Sequence, residues 1–249
     1  MTKEKSMRPE ALYLELEAKN RELDNLARKL VHLEVVNNKM ARFVPKEARR
    51  IFEEEPDREM GKDAADVSVV ILDIVGCTAL CENLSYGEMN YLIERYFSAF
   101  LDEVHGNSGD INETMGDGLM AIFQDKRQEE NALNAVRSAI GIHAVTRRLN
   151  HELRGRFEPI RINVGIGSGM AAVGVTRFKG ETGERWTYTA SGPVTNLASR
   201  LCSAAKEGDI LLDEETHKRI RGAFNVIGLG EMEFRNISRT VRVFRVIEN

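Results

Sequence analysis

The sequence predicts a mixed α/β (α+β) domain preceded by a parallel coiled coil. Three observations carry this reading. Apolar residues recur in heptads from Leu12 to Val44, strand and helix signals alternate from Val67 onward, and a hairpin signature at residues 110–123 sets an aspartate between two glycines. The first two observations define the architecture. The third points to chemistry.

Composition narrows the function classes. In 249 residues, 42% hydrophobic content supplies a real core and 30% charged residues supply a soluble surface. A net charge of −4 lacks the basic footprint that phosphate backbones require, which speaks against nucleic acid as a main partner. No apolar run approaches the roughly 20 residues that cross a bilayer, and the charged N-terminus has no signal-peptide core. Cys77, Cys81 and Cys202 are too few and too unevenly placed for a disulfide framework or a zinc site. The expected location is the cytoplasm, or the cytoplasmic end of something larger.

In chain order, Leu12, Lys19, Leu26, Leu33 and Met40 share one seam position, and Leu16, Leu23, Leu30, Asn37 and Val44 share the other. A 3.5-residue period held over more than four heptads favours a two-stranded parallel coiled coil over a single amphipathic helix packed on its own domain. Lys19 and Asn37 give up stability in the seam but fix register and strand number. Pro45 ends the helix at or near its preceding residue. A short helix at 46–55 and a polar linker at 56–65 follow. The domain division is thus 1–45 as a dimerisation and signal helix, 46–65 as a short helix and linker, and 66–249 as the α/β domain.

Residues 67–74 form a strand, with helical segments from 78 to 105. Within these, Ser85 and Glu88 have capping-box spacing, which restarts a helix. The run DINETMGDGLMAIF places two apolar-alternating strands around Met115-Gly116-Asp117-Gly118, a tight hairpin. A helix covers 129–150. A strand at 160–168 pairs with 171–176 across Gly169, and 177–184 is a polar, glycine-rich exposed loop. After a strand at 186–190, Ser191-Gly192-Pro193 opens a helix through Ala205, with proline in the first turn. A strand at 209–212, a helix at 213–221 and strands near 224–227, 231–235 and 241–247 complete the domain.

Asp-Gly is the commonest hairpin turn, so Asp117 alone fits a purely structural role. The second carboxylate, Asp73 at the end of the 67–74 strand, favours a functional one. Two acids at strand ends suit metal-assisted phosphoryl or nucleotidyl transfer, and magnesium asks for no more than one or two carboxylates plus substrate phosphates and water. Backbone amides of residues 74–78, at a strand-to-helix junction, are placed to cradle phosphate. Asn196 and Arg200, four residues apart, present an amide and a guanidinium on one helix face. Arg235 falls on a predicted strand.

The runs VVILDIVGCTAL, NETMGDGLMAIF and YTASGPVTNLASRL, in this order and at these separations, resemble the class III nucleotidyl cyclases, the adenylate and guanylate cyclase family. The resemblance covers roughly residues 66–247. It implies a ferredoxin-like βαββαβ core acting as a homodimer, with catalytic sites at the interface that turn a nucleoside triphosphate into the 3′,5′-cyclic monophosphate and pyrophosphate. It implies two Mg²⁺ or Mn²⁺ ions held by Asp73 and Asp117, with the Ile74 carbonyl as an extra ligand. It assigns phosphate contacts to Gly76, Cys77, Thr78 and Arg235, ribose orientation to Asn196 and α-phosphate charge stabilisation to Arg200. Arg235 stands where the family has a lysine. Cys77 replaces a common phenylalanine, and Pro193 and Thr195 interrupt the usual residues before the asparagine.

The resemblance also implies that Glu113 and Thr189 read the base. The first is the guanylate cyclase type and the second an adenylate cyclase type. A carboxylate accepts from guanine N1–H and N2–H₂ and a threonine hydroxyl donates to O6, so GTP is favoured over ATP. Two other classes compete: a catalytically silent nucleotide-binding domain, which would have lost an aspartate, and a structural dimerisation module, in which the acids only form turns. A diguanylate cyclase would need a different hairpin sequence. The N-terminal helix is expected to carry a signal from a sensor upstream or on another chain.

Overall fold

The computed structural model describes residues 9–125 and 127–248. The chain forms two compact units, residues 1–44 and 45–249. In the first, helix α1 (Pro9–Met40) is followed by a 3₁₀ turn at Ala41–Phe43. Leu12, Leu16, Leu23, Leu26, Leu30 and Leu33 are each 49–63% exposed along the helix. The α-helix stops earlier than the sequence suggests. Val44, expected as the last seam residue, is already extended because the residue before a proline avoids the helical region.

The second unit is built on one sheet in the order β2-β3-β1-β4-β6-β8-β7, with β5 paired to β4 off this path. The chain enters through α2 (Lys46–Glu54) and β1 (Lys62–Ile74). It continues as α3 (Cys77–Asn83), α4 (Tyr86–Gly106), β2 (Asp110–Met115) and β3 (Gly118–Phe123). Next come α5 (Gln128–Glu152), β4 (Ile162–Gly180), β5 (Gly183–Ser191) and α6 (Pro193–Ala204). β6 (Ile210–Asp213), α7 (Glu214–Ile220), β7 (Val226–Met232) and β8 (Val241–Val246) close the unit. Strands β1 to β4 with their helices give the expected βαββαβ core, its four strands antiparallel in the order 2-3-1-4.

Side-chain alternation along β1 explains the layering. Val70, Leu72 and Ile74 point into a cluster with Leu92, Tyr96 and Phe100 of α4 and Val136 and Ala139 of α5. Val67, Val69 and Ile71 point the other way, toward Val194, Ala198 and Cys202 of α6. A strand buried on both faces reads as an unbroken apolar run, which is what residues 67–72 present once Ser68 is satisfied by the Ser168 hydroxyl at 2.7 Å.

Several boundaries differ from the sequence reading. β1 begins at Lys62, inside the stretch read as a linker, because Lys62 to Asp66 pair with Gly174 to Met170 of β4. Those residues are strand by virtue of backbone pairing, without an apolar pattern. β4 runs unbroken through Gly169, whose φ of +147° lets the chain continue where a hairpin was expected. Residues 177–180 extend β4, and 183–184 open β5 across a two-residue turn, so the expected 177–184 loop is a hairpin arm. The strands expected at 224–227 and 231–235 are one strand, β7, bulged between Gly228 and Gly230. Arg235 lies beyond β7, exposed in the turn before β8. The capping box on α4 is present as spaced, Ser85 accepting from the Glu88 amide and Glu88 from the Ser85 amide.

Candidate active site

Asp73, next to last in β1, faces Gly118 of β3, so the β2–β3 turn lies directly beside it. That turn is Gly116-Asp117, with Gly116 at φ +67°. A side chain at residue 118 would put its Cβ 2.9 Å from the Leu72 carbonyl oxygen and 3.5 Å from Asp73 Oδ1, so glycine there keeps the space beside the carboxylate open. Desolvation at the strand end and the charge of Asp117 raise the pKa of Asp73 above its ordinary value, against a hydrogen bond from the Ile74 amide. Two carboxylates that repel one another are relieved by a shared cation, and their hard oxygens suit magnesium or manganese. Among the described residues no three His, Cys, Asp or Glu side chains form a ready metal cage. Two carboxylates are the sparse donor set that a magnesium ion would share with phosphate and water.

The segment after Asp73 fits an anion. Gly76 takes the left-handed conformation, φ +70°, at the N-terminal cap of α3, and no side chain caps that helix. The first-turn amides of Cys77 and Thr78 are thus left for a ligand. Thr78 is exposed, whereas the Cys77 side chain is only 6% exposed. Burial, followed by hydrogen bonding with Asp117 and with Cys81, pushes the Cys77 thiol well above its ordinary pKa.

Asn196 and Arg200 stand one turn apart on α6, the first exposed and the second half-buried. The seat of α6 is set by Gly165 of β4, where a Cβ would run into the Ala198 carbonyl oxygen and the Cys202 amide nitrogen. Glu113 follows the bulge in β2 and faces Met120, and half-buried Thr189 faces Gly174. The structure therefore gathers Asp73, Asp117, Gly76, Cys77 and Thr78. Among the described residues of this one chain, no hydrogen bond or ion pair joins Asn196, Arg200, Glu113, Thr189 or Arg235 to that group, and Glu113 has no ion-pair partner.

Two structural clusters away from the acid pair, toward the opposite ends of β1 and β2, have no sequence signal, because they join residues far apart in the chain. Asp110 Oδ2 accepts the Glu47 amide at 3.0 Å, tying the first turn of α2 to the strand that carries Glu113. His105 lies 3.8 Å from the same carboxylate. Burial, then the charge of Lys46, holds the His105 pKa below its ordinary value against Asp110 and Asp102. Arg219 donates to both oxygens of Asp66, at 2.5 and 2.9 Å, bracing α7 against β1.

The family model described as the adenylate and guanylate cyclase catalytic domain matches residues 60–247. An uncharacterised protein of Mycobacterium tuberculosis is 32% identical over 177 residues, covering 70% of this chain and 30% of that one. The chain thus spans well under half the length of the curated relatives it matches. Among solved structures, the adenylyl cyclase CyaB from P. aeruginosa aligns with TM-score 0.70 at 28% identity, over 76% of this chain and 97% of that one. The guanylyl cyclase Cya2 aligns with TM-score 0.68 at 25% identity, over 75% and 94%. The chain belongs to the adenylate and guanylate cyclase catalytic domain family.

Proposed function

We propose that the chain converts a purine nucleoside triphosphate, GTP ahead of ATP, into the 3′,5′-cyclic monophosphate and pyrophosphate, for second-messenger signalling. The observation that carries this reading is the pairing of Asp73 with Asp117 at the hairpin tip, beside uncapped amides. In it, Asp73, Asp117 and the Ile74 carbonyl hold Mg²⁺ or Mn²⁺. Bound there, the two ions lower the pKa of the ribose hydroxyl and neutralise phosphate charge. The amides of Gly76, Cys77 and Thr78 bind the outer phosphates, with Arg235 from its turn. Asn196 orients the ribose so that its 3′-oxygen lies in line with the α-phosphorus. Arg200 meets the charge that develops on the α-phosphate as the bond to pyrophosphate breaks, an electrostatic role fixed before reaction by the seat of α6.

Each site in this reading joins the acids of one protomer to α6 of its partner, as the family resemblance implies, and among the described residues no hydrogen bond or ion pair ties Asn196 or Arg200 to the acids of their own chain. Helix α1, with its exposed leucines, pairs with its copy as a coiled coil and brings the protomers together under the control of a sensor upstream or on another chain. No described helix is long and apolar enough to cross a membrane. For the base, Glu113 accepts from guanine N1–H and N2–H₂, whereas adenine N1 would face that carboxylate unpaired at a cost of about 1–3 kcal/mol. Thr189, a residue type found in adenylate cyclases, carries ATP as the second reading.

Complementation tests the shared site. Asp117→Ala and Arg200→Ala are each expected to be inactive. Mixed and allowed to exchange, they form heterodimers with one intact site and one doubly damaged site, recovering about a quarter of wild-type activity under random exchange. A mixture as inactive as either variant, with exchange shown to occur, would refute the two-chain site.

A further inference from the structure

Helix α2 opens without a cap of its own. Its N-cap is Pro45, which has no side-chain acceptor, so the first-turn amides need one from elsewhere. Asp110, the first residue of β2, supplies it from 63 residues away by accepting the Glu47 amide at 3.0 Å. A nine-residue helix is marginal by itself, so α2 depends on such ties. Its other holds are buried Ala48 and the contact of Phe52 with Trp186, ring centroids 6.4 Å apart.

The Asp110 carboxylate has a second neighbour. Its Oδ1 lies 3.8 Å from Nε2 of His105, in the last turn of α4, and both side chains are partly buried. They line a cavity of about 240 Å³ at the foot of α2. The other charged or titratable groups there are Lys46 and Glu47 of α2 and Tyr188 of β5, and exposed Asp102 faces His105 from its own helix. A neutral imidazole leaves the carboxylate to the α2 amide. A cationic one competes for that carboxylate and adds positive charge beside Lys46, the first residue of α2. We propose that His105 makes the seat of α2 acid-sensitive: on taking up a proton it draws Asp110 from the Glu47 amide and frees the first turn of the helix.

The electrostatics of the cluster set the direction. Burial, then the charge of Lys46, holds the His105 pKa below the ordinary 6.5, outweighing Asp110 and Asp102. The docked arrangement therefore favours the neutral ring. Its contribution to stability is complete above about pH 6.5 and is lost as pH falls from there through the lowered pKa. In the cyclase reading the switch regulates the proposed site, because Asp110 opens the strand that carries Glu113. The loosening of α2 itself does not rest on that reading.

Two measurements on the purified chain test the switch without reference to activity. In the wild type, the His105 imidazole, assigned through its bonds by NMR, should titrate with a midpoint below the ordinary 6.5. A midpoint at or above that value would overturn the proposal. Amide hydrogen exchange across residues 46–54, corrected for the intrinsic pH dependence of exchange, should be about tenfold faster at about pH 5.5 than at about pH 7.5, the loss of a hydrogen bond to a charged group. His105→Gln, neutral throughout, should keep slow exchange at both pH values, and Asp110→Ala should exchange fast at both. Equal protection of wild-type α2 at the two pH values would overturn the proposal, as would an acid loss in His105→Gln as large as in the wild type. Turnover should fall less toward acid in His105→Gln than in the wild type. Exchange as predicted with no such difference in turnover would uphold the switch and refute only its link to the cyclase reading.

Discussion

Gly165→Ala is the substitution that most directly links packing to chemistry in this chain. The added Cβ meets the Ala198 carbonyl oxygen, the Cys202 amide nitrogen and Leu201 Cβ. Two of these are main-chain atoms of α6, so no side-chain rotation relieves the contact and the helix itself must move, by on the order of 1 Å. Overpacking of this kind costs about 1–3 kcal/mol, and rigid neighbours place it at the upper end. Gly165 does not have a positive φ, so alanine also stiffens the unfolded chain and returns about 0.4–1 kcal/mol. The net loss is about 2 kcal/mol, which for a unit of this size lowers Tm by about 4–8 °C. Because α6 carries Asn196 and Arg200, the displacement should also lower kcat by up to about 100-fold. Thermal unfolding followed by circular dichroism, with turnover measured on the same preparation, reads both effects. Gly87→Ala in α4, where a Cβ meets nothing within 4 Å, serves as the control and should be neutral or slightly stabilising. A Gly165→Ala protein with wild-type Tm and wild-type kcat would refute the claim that a bare strand position seats α6.

Three further outcomes follow from the same geometry. Asp66→Ala strips Arg219, whose side chain is 9% exposed, of a bidentate partner and leaves it, among the described residues, only Glu215 at 2.9 Å. Breaking such a pair costs about 3–5 kcal/mol, and the remaining contact argues for about 3, a fall in Tm of about 6–12 °C; a shift under about 2 °C would contradict the assignment. Asp73→Asn should stabilise the metal-free protein while destroying activity. The raised pKa of Asp73 means the folded state holds its proton more tightly than the unfolded state, so stability is lost as pH rises from the ordinary carboxylate value through the raised one. The variant should lose that part of the pH dependence, and unfolding profiles for the two proteins that coincide across the acid range would count against it. Insertions of one to seven residues near Asn37 should change activity with a seven-residue period if α1 transmits through a coiled coil, and a flat series would remove that role.

What could be read from the sequence was what is local. The β2–β3 turn was legible because Gly116-Asp117 is turn chemistry in itself, and the α4 cap because Ser85 and Glu88 are three residues apart. The βαββαβ order came from the resemblance carried by three motifs. Lys62 to Asp66 could not be read as strand, since their only reason to extend is a ladder with β4 more than a hundred residues away. Gly169 reads as a break, yet glycine's freedom at φ +147° is what lets β4 pass through. Arg235 was misplaced because the bulge at Gly228–Gly230 joins two apparent strands into one that ends before it. The site residues were legible as types. The Cys77–Cys81 approach and the Asp110 tie to α2 needed coordinates.

The most direct test of the central claim is product identification by mass spectrometry. The purified chain would be given GTP, ATP, CTP and UTP separately, with Mg²⁺ and then Mn²⁺, beside Asp117→Ala. The account predicts cyclic GMP in excess of cyclic AMP, dependence on the divalent ion, and no product from Asp117→Ala. Predominant cyclic AMP would show that Glu113 does not read the base, and equal activity in Asp117→Ala would contradict the proposed role of the acid pair.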